Sequence, residues 1–323
     1  MRTDVTPLVS ILIPCHNAAH WLAATLASAR AQTWPHREII LVDDGSTDDS
    51  RAVASAHAGP DLTVIHQSNA GAAAARQRAL AAARGDYIQY LDADDLLHPG
   101  KISRQIARLA ASGDNHIAAA RWVRFSRSPD DAAAFAAPAE PNWHDATPAD
   151  YLVETFATGG MMHPAAWLLP RAVAERAGPW NAELSLDDDG EYFTRAVLAS
   201  AGVLFCDAAL AHYRSNLAGS LSGRRSPAAW KSAFEVCRLS TSALLAHEDS
   251  PRARHACALY WLRFAFAAHP AVPVLVNEAV ARAQALDPRA TMPPVGPSFQ
   301  KISALIGWRA AKRLRGWIAR ASA

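Results

Sequence analysis

Hydrophobic and polar positions fall into regular blocks over the first 125 of the 323 residues. The apolar run Leu8-Val-Ser-Ile-Leu-Ile-Pro14 stops at a proline and reads as a buried strand. Apolar side chains then recur at Trp21, Leu22, Thr25, Leu26 and Ala29, which predicts a helix over 18–31. Glu38-Ile-Ile-Leu-Val-Asp43 predicts a second strand, with a helix from Asp48. A third strand is expected over 62–65, ahead of an Ala-rich helix over 71–84. The fourth, over 87–91, precedes a helix from Pro99, where proline suits a first turn. Short apolar strands separated by longer helices predict βαβ units and a parallel sheet buried on both faces.

The later pattern is less regular. Four prolines and many small residues make 126–150 a long loop. A helix is expected over 148–157, strands over 166–169 and 203–206, and a helix over 189–200. From Pro227 the chain reads as helical, interrupted at Pro270, at Pro273 and over 288–297. No repeat of fixed period appears. The expectation is an α/β domain over 1–225, in two halves of about 7–125 and 126–225, and a helical C-terminal extension over 226–323.

Composition narrows the class. Half the residues are hydrophobic and 19% charged, enough for a sizeable core. A net charge of +2 argues against a nucleic-acid partner. Cys15, Cys206, Cys237 and Cys257 lie far apart without a C-x-x-C pair, as expected of reduced, buried thiols. Residues 1–6 lack the pattern of a signal peptide, and no uncharged apolar stretch reaches the length of a spanning helix. The chain is therefore expected to be soluble and cytoplasmic.

In an open parallel sheet, ligands sit beyond the carboxyl ends of the strands. Strand one ends in Pro14-Cys15-His16-Asn17, strand two in Asp43-Asp44-Gly45-Ser46, and strand four in Asp92-Ala93-Asp94-Asp95. Five carboxylates gathered on one edge would repel one another without a cation, so a divalent metal is the natural neutraliser. Asp92 and Asp94 are two apart in an extended segment and point the same way. Taken singly, the first acidic motif reads more readily as a helix-capping turn, and a lone D-x-D more readily still as a solvated loop. Both at strand ends of one sheet favour the metal site. The dinucleotide fingerprint G-x-G-x-x-G and the P-loop are absent, and Gly219-Ser-Leu-Ser-Gly223 has leucine where a nucleophile elbow has serine. Asp187-Asp188-Asp189-Gly190 lacks calcium-loop ligands at Ser185 and Ala196.

Four stretches in order resemble family 2 glycosyltransferases of the GT-A fold. They are Val9-Ser-Ile-Leu-Ile-Pro-Cys-His-Asn17, Glu38 to Asp48, Asn69-Ala-Gly71 and Gly85 to Asp95, with weaker similarity reaching residue 223. The resemblance implies a GT-A-like, Rossmann-like, mostly parallel sheet flanked by helices. It also implies an inverting transferase of hexosyltransferase type, moving a sugar from a nucleotide-diphosphate donor with Mn²⁺ or Mg²⁺. UDP is the favoured nucleotide, and a glycan or lipid-linked hydroxyl the acceptor. The match places Pro14, His16, Asp43 and Asp44 against the nucleotide, with Asp44 favoured for the base. Asp94 becomes the direct metal ligand, and Asp92 lies nearer the ribose or the metal waters. Asp189 falls on the catalytic base, with Asp188 in place of the usual glutamate, Gly190 where tryptophan is common, and Glu191 in reserve. Acidic residues that merely cap a helix are the plainer alternative there. Arg214, in His212-Tyr213-Arg214 ahead of Ser220-Leu-Ser222, matches a segment closing over the diphosphate; a solvated arginine is the alternative. Gly159-Gly160-Met161-Met162-His163 lies where acceptor pockets are built, though packing roles are commoner for such Met and His. A sugar-nucleotide-binding paralogue without transferase activity is the second functional reading.

Residues 299–323 hold Lys301, Arg309, Lys312, Arg313, Arg315 and Arg320 and no acidic residue. From 309 onward the basic side chains share one helical arc, and Ala310, Leu314, Trp317 and Ile318 another. Two readings stay open: peripheral contact with an anionic membrane surface, or a helix packed on the domain with its basic face in water. The second ranks slightly ahead.

Overall fold

The computed structural model describes residues 6–112, 115–126, 128–130, 133, 136–215, 223, 225–292 and 296–321. Strand β1, Val9–Cys15, is buried along its whole length because both of its faces are covered. Val9, Ile11, Ile13 and Cys15 meet Leu22 and Leu26 of helix α1 (Ala19–Arg30) and Ile102, Ile106 and Leu109 of α4 (Lys101–Ala110). On the other face Leu12 joins Ala73, Ala75 and Ala79 of α3 (Ala72–Ala82). Alternation of side chains along one strand thus builds two cores at once.

β2 (Arg37–Asp44) and β4 (Tyr87–Tyr90) flank β1 in parallel, and β3 (Leu62–Gln67) lies outside β2, with α2 (Ser50–Ala56) between β2 and β3 in sequence. The full order is β3-β2-β1-β4-β7-β6-β8-β5. β7 (Trp167–Pro170) runs antiparallel to both β4 and β6 (Ile117–Phe125). β8 (Val203–Arg214) is parallel to β6, and the two-residue β5 (Leu96–Leu97) is antiparallel to β8. The sheet is mostly parallel, as expected, with antiparallel pairing confined to β7 and β5.

Beyond the two-residue β5, which the sequence pattern did not announce, two longer strands depart from it. β6 opens with Ile117-Ala-Ala-Ala120, a poor strand former whose extended state comes from pairing with β7 and β8. β8 continues to Arg214 rather than stopping at residue 206. Its register with β6 slips between Ala120 and Arg121, which leaves Asp207 to Ala209 bulged out of the ladder.

Helices α5 (Pro148–Thr158), α6 (Arg171–Ala177) and α7 (Asp188–Leu198) cover the second half of the sheet. Next come α8 (Pro227–His247), α9 (Pro251–Ala268), α10 (Pro273–Leu286), α11 (Pro297–Ile306) and α12 (Trp308–Ala321). Thr147, Ser226 and Ser250 each cap a helix that begins with proline, accepting from the backbone N–H of Asp150, Ala229 and Ala253. α8 packs on α7, and α9 on α5. Leu244, Ala253, Ala256 and Cys257 therefore share one core with Leu12, Trp167 and Tyr192 of the α/β body. All four cysteines are buried and unpaired.

Gly85, just before β4, touches β1 directly. A Cβ there would stand 2.6 Å from the Ser10 nitrogen and 2.8 Å from the Leu8 carbonyl oxygen, both backbone atoms. Gly85→Ala is expected to cost about 1–3 kcal/mol of stability, because the central strand must shift. The check is a lowered urea midpoint at unchanged m-value.

Candidate active site

β1 lies between β2 and β4 and all three run parallel, so their carboxyl ends share one edge of the sheet. Asp44 and Asp94 therefore lie on the same side of the molecule. The loops at this edge are laced together. Asn17, held at φ 52, accepts the Thr47 N–H at 2.8 Å on its side-chain oxygen, and its own N–H meets Ser46 Oγ at 3.0 Å. The exposed His16 ring sets Nδ1 2.8 Å from the Asp44 carbonyl oxygen and meets Asn69 Nδ2 at 3.1 Å. Gly45 has φ +69, and a Cβ on it would sit 2.7 Å from the Asn69 nitrogen, so only glycine fits between the two loops.

Asp44 is buried, and its carboxylate receives the Ala70 and Gly71 N–H groups at 2.8 and 2.9 Å and Gln67 Nε2 at 2.7 Å. Asp43 receives the Ser46 N–H at 3.1 Å, Arg51 Nε at 2.6 Å and His66 Nδ1 at 3.1 Å. Burial would raise the Asp43 carboxyl, but the bonds from Ser46, His66 and Arg51 outweigh it and hold the group at about 2. Both aspartates thus shape the loop they sit in. Pro14 lies wholly within the buried β1, beside Val42.

The β4 end is tied to the second half of the fold by a residue that sequence reasoning missed. Arg76 of α3 is buried, with its guanidinium 4.9 Å from the Trp180 ring centroid. One nitrogen bonds Asp92 at 2.8 Å and the other Asp188 at 2.7 Å. A signal for it existed, since Arg76 shares a helix face with Ala73 and Ala79, and a cation on an apolar stripe must find carboxylates. Tyr192 and Phe193 anchor α7 from below. Tyr192 stacks on Trp180 with ring centroids 4.0 Å apart, and its hydroxyl accepts from Tyr90 at 3.1 Å.

Asp189, the second residue of α7, is half-buried and accepts the Gly190 N–H at 3.0 Å. It forms no ion pair among the described residues. Burial pushes its carboxyl up and Arg76 pulls it back. The preceding Asp187 has left-handed backbone, φ 63, at the turn into the helix. Glu191, the reserve base, is buried and bound by Arg195 at 2.6 and 2.8 Å, so it is committed elsewhere. A Cβ on Gly190 would meet only Val236 at 3.8 Å and the Tyr260 hydroxyl at 4.0 Å, so the missing tryptophan leaves open space walled by α8 and α9.

Arg214 is buried, which removes the solvated reading. Its guanidinium lies between the rings of Trp21, at 4.0 Å, and Phe125, at 4.2 Å. Nε donates to the Asp94 carbonyl and Nη1 to the Ser126 carbonyl, at 2.8 and 2.7 Å. The residue braces the D-x-D loop; Ser220 to Ser222 lie outside the described residues. His163 is buried against Asp95 at 3.4 Å and Trp122 Nε1 donates to the Met161 carbonyl at 3.1 Å, so this segment packs, as its composition suggested. Burial first, then the charges of Asp95 and Asp92, push the Asp94 carboxyl up to about 7. Among the described residues no three His, Cys, Asp or Glu side chains converge as a complete metal cage.

Two outcomes follow from this geometry. Arg76→Met strands Asp188 and Asp92 without their cation and is expected to cost about 3–5 kcal/mol in chemical denaturation. Ser46→Ala removes the hydroxyl bond that, beside the Ser46 backbone N–H, holds Asp43 low. The folded-state value lies below the ordinary 3.8, so the stabilisation is complete above about pH 4 and is lost as the pH falls through about 2. The variant is expected to unfold at higher pH on acid titration followed by circular dichroism.

Residues 10–176 match Glycosyl transferase family 2. A putative glycosyltransferase of Bacillus subtilis, EpsH, is 30% identical over 221 residues, covering 66% of this chain and 62% of its own. The chain spans less than two thirds of the curated relatives it matches. Among solved structures, S. aureus TarS 1-349 in complex with UDP-GlcNAc superposes with TM-score 0.65 at 16% identity, over 94% of this chain and 90% of that one. The mannosyltransferase PcManGT of Pyrobaculum calidifontis, in complex with GDP-Man and Mn2+, gives 0.54 at 17% identity over 97% and 87%. With the match covering more than half its length, the chain belongs to glycosyl transferase family 2.

Proposed function

We propose that the chain moves a sugar from a nucleotide-diphosphate donor, with UDP favoured, to a hydroxyl of a glycan or lipid-linked acceptor, inverting the anomeric centre. The observation that carries this reading is the Arg76 bridge: it draws the D-x-D strand end and the start of α7 to one crevice, with the Asp189 carboxylate left unpaired among the described residues. The TarS and PcManGT complexes, which share the fold, hold nucleotide sugars, and that supports a donor here.

In this reading the exposed His16 lines the nucleotide, and Pro14, buried at the end of β1, supports the strand end beneath it. Asp43 and Asp44 shape the loop facing the base and ribose, leaving the Asp44 oxygens one acceptor position beyond their three donors. Asp92 orients toward the ribose, with one oxygen held by Arg76. Arg214 keeps the D-x-D backbone in place beside the diphosphate. Asp189 removes the proton from the acceptor hydroxyl as that oxygen bonds to the anomeric carbon. The bond from that carbon to the diphosphate oxygen breaks on the opposite face, and the nucleoside diphosphate leaves with the electron pair. A site beside α8 and α9 suits the acceptor, because Gly190 leaves room there. We assign 1–225 the catalytic role, in donor and acceptor halves, and 226–323 the wall behind α7.

The residues fit a divalent cation. Asp94 and the second oxygen of Asp92 are hard donors, and burial, followed by the like charges of Asp95 and Asp92, raises the Asp94 carboxyl, a cost that a bound cation would offset. Bound there, Mn²⁺ or Mg²⁺ would offset the negative charge that develops on the leaving diphosphate. Unpaired, buried cysteines suit a reducing, cytoplasmic setting. Among the described residues no helix is long and apolar enough to cross a membrane. Contact of 299–323 with a membrane surface is taken up below.

Asp189→Asn is expected to keep UDP-sugar affinity in a thermal-shift titration while transfer falls by about 10²–10⁴-fold. Full activity in that variant removes the base assignment. Asp94→Ala is expected to weaken metal-dependent donor binding by about tenfold or more. Donor binding without any product, in the unaltered chain and across acceptors, would favour the non-transferring paralogue.

A further inference from the structure

The two C-terminal helices α11 and α12 carry an unusual share of the exposed apolar surface. Six large apolar side chains stand exposed among the described residues, and five of them are Ile302, Leu305, Ile306, Leu314 and Trp317. Leu305 is 85% exposed and Trp317 65%, values far from those of side chains packed on a domain.

The helices are nevertheless docked, by their other face. Trp308 packs on His269 and Phe266 at ring distances of 5.3 and 6.2 Å, and Phe299 meets Phe266 at 5.6 Å. Ala311 is buried, Lys312 Nζ donates to the Phe266 and Ala267 carbonyls, and Arg309 donates to Asn277 Oδ1 at 2.8 Å. This corrects the expectation that α12 packs by its apolar arc with the basic arc in water. A basic residue, Lys312, faces the body, while Leu314 and Trp317 face out with Arg313 exposed nearby.

We propose that α11 and α12 form a docking surface for an anionic lipid bilayer, lying in the plane of the headgroup boundary. Charge complementarity selects this occupant. Residues 299–323 carry six Lys and Arg and no Asp or Glu. A second copy of the chain would bring the same cationic faces together, and a nucleic acid would leave the aliphatic ridge in water. A lipid surface takes both parts: acyl chains receive Leu305, Ile306 and Trp317, and anionic headgroups meet the exposed Lys301, Arg313 and Arg315. Length excludes a span. α11 has 10 residues and α12 has 14, or ~15 and ~21 Å of helix against a hydrocarbon core of ~30 Å.

The test is co-flotation of the full chain with vesicles rich in phosphatidylglycerol and, separately, with pure phosphatidylcholine vesicles. The chain is expected to float with the first and not the second, and to be released by high salt. Leu305→Glu with Trp317→Glu is expected to lower the bound fraction by about tenfold or more. Those side chains are solvent-exposed, so donor binding by thermal shift should stay unchanged, which separates this test from that of the sugar-transfer reading. Failure of the unaltered chain to float, or flotation unaffected by the double variant, overturns the proposal. So does a dimer in light scattering, or retention on nucleic acid, that the double variant abolishes.

Discussion

One guanidinium ties the two sides of the candidate site together. Arg76 rises from α3, in the first half of the sheet, and bonds carboxylates contributed by the β4 end and by α7, residues separated by 96 positions in sequence (188 − 92). Asp188 and Arg76 are both nearly excluded from water, so their charges are stable only together. The pair therefore acts as a positional lock: α7 cannot drift from the D-x-D loop without exposing one buried charge to an apolar surround. Asp189, next along the helix, inherits that placement without sharing the bond.

The helices after residue 225 are part of the same constraint. α8 backs α7, and the core that contains Tyr192 also contains Leu244 and Cys257. Gly190 turns this backing into a boundary of the site, since Val236 and Tyr260 occupy the position beyond the absent side chain. Arg214 works in a similar way from β8. Stacked between Trp21 and Phe125, it fastens the Asp94 carbonyl and so joins strand eight to the loop after strand four.

The first half of the sheet was largely legible in the chain. Strands buried on both faces leave continuous apolar runs, and acidic residues directly after them mark strand ends where a sheet gathers ligands. Reading became poorer from β6 onward. Ala118 to Ala120 are extended because β7 and β8 pair with them, a reason no local preference encodes. Glu191 shows the same limit in the site. Its acidity and position suited a base, yet Arg195 one turn later binds it through Nε and Nη2.

What the sequence by itself determined was the alternating α/β order, the family, and which carboxylates end which strands, because periodicity and short motifs are local properties of the chain. Only tertiary structure decided how those groups are used. It turned Arg214 inward, committed Asp44 to the loop over residues 67–71, and set Leu314 and Trp317 of α12 toward solvent. The physical reason is that a charged or apolar side chain takes its role from the partners that exclude water around it, and here those partners come from distant parts of the chain.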